Sequence, residues 1–201
     1  MTMRVAVAAS GRGSNLEALL RALDADAPAR VVLVLSNRAD AGALARARAA
    51  GVAAEVLSDS SDAAEWLERL ARHRIDLLVL AGYLKLVPAG IVSRYRDRIV
   101  NVHPALLPAF GGPGMYGHRV HEAVLASGVR ESGATVHLVD EVYDHGAVLA
   151  QARVPVVSGD TPETLAARVL AVEHRLLPAV VLAAAAAGHP VPLPDTVEST
   201  S

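Results

Sequence analysis

Three side chains between Asp76 and Gln151 have the chemical types needed for addition of an amine to a carbonyl carbon. Asn101 and His103 lie two residues apart in the apolar run IVNVH, so they share one face of an extended strand. Asp144 lies in the segment DEVYDHG, between two later apolar runs. An amide donates to an oxyanion without ionising, while an imidazole and a carboxylate move protons. We interpret these three as a candidate catalytic group, although spacing alone does not show that Asp144 reaches the other two.

A glycine-rich segment, SGRGSN, joins the first apolar run to the first helical stretch, and it contains Gly11, Arg12, Gly13, Ser14 and Asn15. Glycines let the backbone approach a ligand, and a helix N-terminus offers unpaired N–H groups to a phosphate. The segment lacks the Lys of a P-loop, the third glycine of a dinucleotide fingerprint and an acidic residue after the second strand. It favours a monophosphate on a small substrate over a nicotinamide cofactor, but a tight turn with a helix cap explains the same residues equally well.

The other ionisable residues are weaker candidates. Glu173 shares a helical stripe with apolar residues, and a buried carboxylate there needs a cation from a core Arg or from a substrate ammonium or amide. His118 and His121 lie one helical turn apart and could share a metal, but no Cys and no third ligand accompany them, so no metal site is expected. His137, in TVHLV, is interpreted as a partly buried strand histidine close to the site.

Composition limits the class of protein. The chain has 201 residues, of which 52% are hydrophobic, enough for one α/β domain with a filled core. Its net charge of −2 gives no broad positive field, so we expect no binding to nucleic acid or to a membrane surface. The absence of Cys excludes disulfides and thiolate chemistry. No signal peptide is predicted, because the short apolar run of MTMRVAVAAS leads into Gly11-Arg12-Gly13, and no membrane span is predicted, because LLPAVVLAAAAAG is interrupted by Pro178 and flanked by charge. A cytoplasmic protein is expected.

Strand-like and helical stretches alternate along the chain. The predicted strands are Arg4–Ala9, Val31–Ser36, Ala53–Leu57, Asp76–Ala81, Ile99–Val102, Ala134–Val139 and Val148–Val156. The predicted helices are Asn15–Leu23, Asp40–Ala50, Ser61–His73, Tyr116–Ala126 and Pro162–Ala186.

This alternation predicts an α/β domain with a mostly parallel twisted sheet, helices on both faces and an antiparallel pair of strands at the C-terminal end. Asn101 and His103 then leave a strand at the carboxyl edge of the sheet, where ligands usually bind. The domain is predicted to occupy residues 1–188. Residues 189–201, which are Pro-rich and polar, are expected to form a surface tail. A monomer and a homodimer are both left open.

Five motifs are, in order, SGRGSNLEALL, LVLAGYLKLVP, IVNVHPALLP, GATVHLVDEVYDHGAVLAQ and ARVLAVEHRLLP. Their sequence, order and separation resemble those of the phosphoribosylglycinamide formyltransferases, the folate-dependent transformylases of purine synthesis. The resemblance extends over nearly the whole chain. It implies a Rossmann-like formyltransferase fold and transfer of the formyl group of 10-formyltetrahydrofolate to the amine of glycinamide ribonucleotide, without a metal.

The resemblance also implies roles for individual residues. Asn101 and a His103 held protonated by Asp144 would stabilise the oxyanion, while Asp144 and a water relay protons from the attacking amine to the departing folate nitrogen. The residues matched to the ribonucleotide are Gly11, Arg12, Gly13, Ser14, Asn15 and Glu173. Those matched to the folate are Leu84, Lys85, Val87, Asn101, Leu138, Val139, Asp140, Glu141 and Val142.

Two features depart from the family pattern. Lys85 stands where Arg is common, near the glutamate tail of the folate, and it keeps the charge but loses the bidentate fork. The loop GGPGMYG after Phe110 is longer and richer in glycine than the common forms, so its contacts cannot be carried over.

Three alternatives remain. Methionyl-tRNA formyltransferase uses the same donor and a similar Asn-x-His motif, but it normally adds a nucleic-acid-binding domain. Formyltetrahydrofolate hydrolase normally carries an N-terminal regulatory domain for which this chain has no room. The third alternative is a catalytically silent nucleotide-binding module, which the intact trio disfavours.

Overall fold

Seven strands form a single sheet in the computed structural model, which describes residues 2–194. They are β1 (Met3–Ala8), β2 (Ala29–Ser36), β3 (Ala53–Val56), β4 (Leu77–Leu80), β5 (Ile99–His103), β6 (Glu131–Leu138) and β7 (Val148–Pro155). Their spatial order is β3-β2-β1-β4-β5-β6-β7. The first five strands are mutually parallel, whereas β6 runs antiparallel to both β5 and β7. The predicted fold class, including the antiparallel pair, is confirmed.

Six helices connect or follow these strands: α1 (Ser14–Ala22), α2 (Gly42–Ala49), α3 (Ala63–Arg72), α4 (Ala89–Arg94), α5 (His118–Ser127) and α6 (Pro162–Ala187). Five of them begin and end within two residues of the predicted bounds. The sequence did not predict α4. It has six residues after Pro88, too few to show a helical period.

The sheet separates two apolar clusters. Val5 and Val7 of β1 belong to the cluster packed under α1, α2 and α6, and Ala6 and Ala8 belong to the cluster that contains Trp66 of α3. Successive side chains of a strand point to opposite faces, so a strand that is apolar throughout must be covered on both sides. This burial fixes the register of β1 and with it the position of the loops at its carboxyl end.

Helix α6 closes the fold. Thr161 caps its first turn through a reciprocal pair of hydrogen bonds with Thr164, and Pro162 occupies the start of the helix, where its missing N–H does no harm. By length and composition α6 could cross a membrane, because its most apolar 18 residues have a mean hydropathy of 1.7. Pro178 lies inside this helix, and the core helix of a folded protein can have the same length and composition. Half of that stretch is buried inside the protein, and the helix packs against α1, β6 and β7, which explains its apolar composition.

The chain continues past α6 along the edge of the sheet. The backbone N–H of Leu193 donates to the carbonyl oxygen of Leu149 in β7 at 2.8 Å, and the Leu193 side chain packs on the core. Residues 195–201 of the predicted tail lie outside the described residues. The boundary after residue 188 stays a prediction.

Candidate active site

A cavity of about 500 Å³ lies at the carboxyl ends of the parallel strands. Leu80 and Asn101 line it from the ends of β4 and β5, and Gly11 lines it from the loop that follows β1. The loops 82–87, 112–117 and 139–144 and parts of α5 and α6 complete its walls. This is the edge at which parallel α/β sheets bind ligands, as the sequence predicted.

The structure brings the three predicted catalytic side chains together. Asp144 Oδ1 lies 3.5 Å from Asn101 Nδ2, and Asp144 Oδ2 lies 3.5 Å from His103 Nδ1. These distances are long for hydrogen bonds, as is common in sites that tighten around a substrate. Asp144 has a φ of 54°, a left-handed conformation that is uncommon for a residue other than glycine. The turn between β6 and β7 adopts this conformation and directs the carboxylate back towards β5.

The loop that the sequence could not assign supports Asp144. The backbone N–H of Gly112 donates to Asp144 Oδ2 at 2.9 Å. A Cβ on Gly111 would lie 3.2 Å from the Cβ of Asp144 and 2.6 Å from a methyl carbon of Leu107, so this glycine permits the close approach. Burial alone would raise the pKa of Asp144, but the hydrogen bond with His137, the charge of His103 and the Gly112 N–H together hold that pKa below its ordinary value. Asp144 is therefore ionised at neutral pH.

His103 is buried, and one of its ring nitrogens is already engaged. Its Nε2 lies 2.8 Å from the carbonyl oxygen of Phe110, so Nε2 carries a proton and donates it. Nδ1 then faces Asp144. Burial lowers the pKa of His103, and the Asp144 charge and the Phe110 carbonyl only partly oppose this effect. That His103 is held protonated by Asp144 stays a prediction, because burial opposes the charged form.

His137 joins the site as a fourth member. It pairs with Asn101 across β5 and β6, and it is fully buried rather than partly buried. Its Nδ1 lies 2.7 Å from the carbonyl oxygen of Leu138 and so donates, and its Nε2 lies 3.0 Å from Asn101 Nδ2 and 3.5 Å from Asp144 Oδ1. The Asn101 amide nitrogen thus contacts both His137 and Asp144. The contact with Asp144 is the longer of the two and the easier to exchange for a substrate oxygen.

The other end of the cavity contains a buried carboxyl group. Asn15 Nδ2 donates to Glu173 Oε2 at 2.6 Å, while Asn15 Oδ1 is enclosed without a hydrogen-bond partner. Burial raises the pKa of Glu173 to about 7, although the hydrogen bond from Asn15 acts in the opposite direction. Within residues 2–194 no Arg pairs with Glu173, and its hydrogen-bond partner is Asn15.

The glycine-rich loop is divided between two roles. Gly11, Arg12 and Asn15 line the cavity, whereas Gly13 and Ser14 do not. Gly13 has a φ of 79°, and a Cβ there would lie 2.7 Å from the Cα of Ala43 in α2. Close packing of α1 on α2 therefore requires glycine at this position whether or not a ligand binds there.

Most residues matched to the folate lie on the cavity wall. Those lining it are Leu84, Lys85, Val87, Asn101, Val139, Asp140 and Val142, while Leu138 and Glu141 are not among the lining residues. Ser10 Oγ accepts the backbone N–H of Leu84 at 2.9 Å and fixes this loop to the end of β1.

Sequence reasoning missed several lining residues, among them Tyr83, Met115, Tyr116 and Tyr143. Their signal was their place in the loops after β4, around the glycine-rich segment 111–117 and between β6 and β7. Gly146 was interpreted as a glycine that lets a loop approach a ligand. Instead, a Cβ there would lie 1.8 Å from the Leu138 carbonyl oxygen, so its close approach is to the backbone of β6.

The two histidines of α5 differ in environment. His118 is exposed, with Nδ1 3.7 Å from Glu163 Oε1, and His121 is buried against the cavity. Within residues 2–194 no group of three or more His, Asp or Glu side chains is arranged to hold a metal ion.

The sequence of this chain is similar to those of a known protein family. The profile of the family described as formyl transferase matches residues 3–181. Phosphoribosylglycinamide formyltransferase of Escherichia coli (strain K12) is 40% identical, over 89% of this chain and 85% of that protein. The chloroplastic enzyme of that name from Arabidopsis thaliana is 45% identical over 89% of this chain. The chain spans 64% of the length of that relative and 59% of the Vigna unguiculata one.

Solved structures show the same likeness. The crystal structure of glycinamide ribonucleotide transformylase 1 from Symbiobacterium toebii superposes with a TM-score of 0.86 at 40% identity, covering 92% of this chain and 89% of that one.

Proposed function

The chain belongs to the formyl transferase family, and from this premise we propose that it transfers the formyl group of 10-formyltetrahydrofolate to the amine of glycinamide ribonucleotide. The observation that carries the proposal is the convergence of Asn101, His103 and Asp144 within one cavity. The cavity wall includes charged residues, among them Arg12 and Glu173, and aliphatic ones, among them Leu84 and Val139, as a two-substrate transfer requires.

The charged residues suit the ribonucleotide. Arg12 and the N-terminus of α1 offer positive charge and N–H groups to a phosphate. Glu173 and the unpartnered Oδ1 of Asn15 offer acceptors to the glycinamide nitrogens. An N–H group of the substrate that donates to Glu173 favours the ionised carboxylate and offsets the effect of burial.

The aliphatic residues suit the folate. Leu84, Val87, Val139 and Val142 present aliphatic surface for a pterin ring, and Lys85 is exposed beside them, where it can meet a carboxylate of the glutamate tail. The folate acts here as a co-substrate that is consumed in each turnover.

The positions of these groups suggest the order of bond changes. The amine nitrogen attacks the formyl carbon, and the carbonyl electron pair moves to oxygen. Asn101 donates to this oxyanion after exchanging its long contact with Asp144, and His103 donates through Nδ1 in its charged form. The ionised Asp144, acting through a water, accepts the proton released by the attacking amine and delivers one to the folate nitrogen as the carbon–nitrogen bond breaks.

An assay of folate deformylation, followed spectroscopically with and without glycinamide ribonucleotide, tests the proposal. We expect turnover only when the ribonucleotide is present. Turnover without any acceptor would favour a formyltetrahydrofolate hydrolase. Turnover only with methionyl-tRNA would favour the tRNA enzyme, and no turnover at all would favour a silent nucleotide-binding module.

The compartment and the assembly belong to the same proposal. We propose a cytoplasmic enzyme that acts as a monomer or homodimer and that binds neither nucleic acid nor membrane. The net charge of −2 supports the absence of a nucleic-acid partner, and the burial of α6 against the sheet supports a core role for that helix. Light scattering during gel filtration would measure the mass in solution.

A further inference from the structure

His121 of helix α5 is a buried histidine that lines the cavity. The proposed mechanism does not use it. His121 is 4% exposed and lines the cavity wall. Its Nδ1 is enclosed and has no hydrogen-bond partner. No hydrogen bond engages Nε2 within residues 2–194, and Nε2 is not enclosed, so it is the ring nitrogen left open to the cavity.

The two nitrogens of His121 are therefore unequal. Enclosing an unpaired N–H is unfavourable, so the preferred neutral tautomer keeps its proton on Nε2, the nitrogen with access to a partner. Burial lowers the pKa of His121 to about 4, and the nearby charges of His118 and His103 act in the same direction. At neutral pH the side chain is an uncharged donor directed at the cavity.

The place of His121 in the fold indicates which substrate it meets. The first turns of α5 and α6 lie side by side, since His118 Nδ1 is 3.7 Å from Glu163 Oε1. The part of α6 that lines the cavity consists of Ala166, Leu170 and Glu173. His121, one turn along α5, thus adds a donor beside a wall whose only polar side chain is a carboxyl group. A ribose or phosphate oxygen at this end needs donors, which the carboxylate cannot supply.

We propose that His121 donates its Nε2–H to an acceptor oxygen of the ribose-phosphate part of the ribonucleotide. The inference rests on the proposed function, because the ligand is the acceptor substrate named there. His121 then binds and positions the ribonucleotide and takes no proton during the transfer. The imidazole is kept neutral so that it can donate without repelling the cationic form of His103.

Calorimetric titration with glycinamide ribonucleotide tests this role, in the full chain and in three variants of His121. In His121→Gln the amide nitrogen can occupy the position of Nε2, in His121→Asn it reaches only the position of Nδ1, and His121→Leu has no donor. We expect affinity within about twofold of the unmodified protein for the Gln variant, and about tenfold weaker binding for the Asn and Leu variants, as for the loss of one hydrogen bond. Binding of a folate analogue should not change.

The matched control is Val124→Ala on the core face of the same helix, which removes buried apolar surface but no donor. It should lower the thermal midpoint without changing ribonucleotide affinity. Titration with the ribonucleoside that lacks the phosphate separates the two acceptor sources: an equal loss in His121→Leu locates the contact on the ribose, and no loss locates it on the phosphate.

Two outcomes overturn the inference while leaving the proposed function intact. Equal affinities of the Gln and Asn variants would show that the position of the donor is irrelevant, and this comparison remains valid if His121→Leu fails to fold. Normal affinity in His121→Leu would remove the contact while leaving the proposed function intact. If the unmodified chain does not bind the ribonucleotide, the proposed function fails and this inference fails with it.

Discussion

Replacing Glu173 with Gln should make the ligand-free protein more stable at alkaline pH while weakening its binding of ribonucleotide. Glu173 is 7% exposed, and within residues 2–194 its carboxyl group accepts one hydrogen bond, from Asn15 Nδ2 at 2.6 Å. Gln has the same shape, and its amide oxygen can accept that bond. The substitution therefore removes only the cost of burying a negative charge.

The structure sets the magnitude and the sign of this effect. Burial raises the pKa of Glu173 from 4.5 to about 7. Between these values the folded state holds a proton that the unfolded state has released, so stability falls as pH rises through this range and the loss is complete above about pH 7. At about 1.4 kcal/mol per pH unit, the residue destabilises the alkaline folded state by up to roughly 3 kcal/mol.

Urea denaturation at pH 4 and at pH 8.5 measures this difference. We expect the free energies of unfolding of the unmodified protein and Glu173→Gln to agree within about 0.5 kcal/mol at pH 4, and the variant to be more stable by up to roughly 3 kcal/mol at pH 8.5. Glu163→Gln, at an exposed position on the same helix, is the control and should show no such gain. A difference between the Glu173 proteins that is the same at both pH values would refute the reasoning.

Four further substitutions test other parts of the site and the strands beside it. Asp144→Asn and His103→Ala should each reduce turnover at least about a hundredfold with near-ultraviolet circular dichroism unchanged, and near-normal turnover would remove that residue from the mechanism. Thr135→Val removes a buried hydroxyl that accepts the Leu107 N–H at 3.0 Å. Urea denaturation should therefore show that the free energy of unfolding falls by about 1–3 kcal/mol. An unchanged denaturation midpoint would show that this hydrogen bond does not stabilise the fold. Gly146→Ala should lower the thermal midpoint more than Ala substitution at the open position Gly159, because its Cβ would lie 1.8 Å from a backbone oxygen.

The sheet could be predicted from the sequence because its pattern is set by burial. Val5 and Val7 pack on one face of β1 and Ala6 and Ala8 on the other, so a run that is apolar throughout indicates a strand covered on both sides. Helix α4 could not be predicted in the same way. Its six residues span less than two turns, and the packing of Ile91 in the apolar cluster that contains Trp66 holds it in place.

The site was predictable only where it follows from the period of a strand. Asn101 and His103 share a face of β5 because they are two residues apart, and the structure places both at the cavity. The contact of Asp144 with Asn101 and His103 depends instead on the left-handed backbone conformation of Asp144 and on the close approach of Gly111 to it. Both are properties of the folded loops. No periodicity in the sequence encodes either of them.

Two residues show how tertiary packing changes an interpretation. Gly13 was interpreted as part of a phosphate loop, and the structure adds a packing reason, since its position against Ala43 leaves no room for a side chain. His121 was considered only with His118 as part of a metal pair. Its burial against the cavity depends on how α5 docks beside α6, which the sequence does not specify.

A crystal structure of the chain with glycinamide ribonucleotide and an unreactive analogue of 10-formyltetrahydrofolate would test the central claim most directly. It should place the amine and the carbon that corresponds to the formyl group between Asn101, His103 and Asp144, with the analogue's oxygen at hydrogen-bond distance, about 3 Å, from the Asn101 amide. The phosphate should lie at Arg12 and the pterin beside Val139. Binding of either ligand outside this cavity, or a reacting carbon out of reach of all three side chains, would contradict the account.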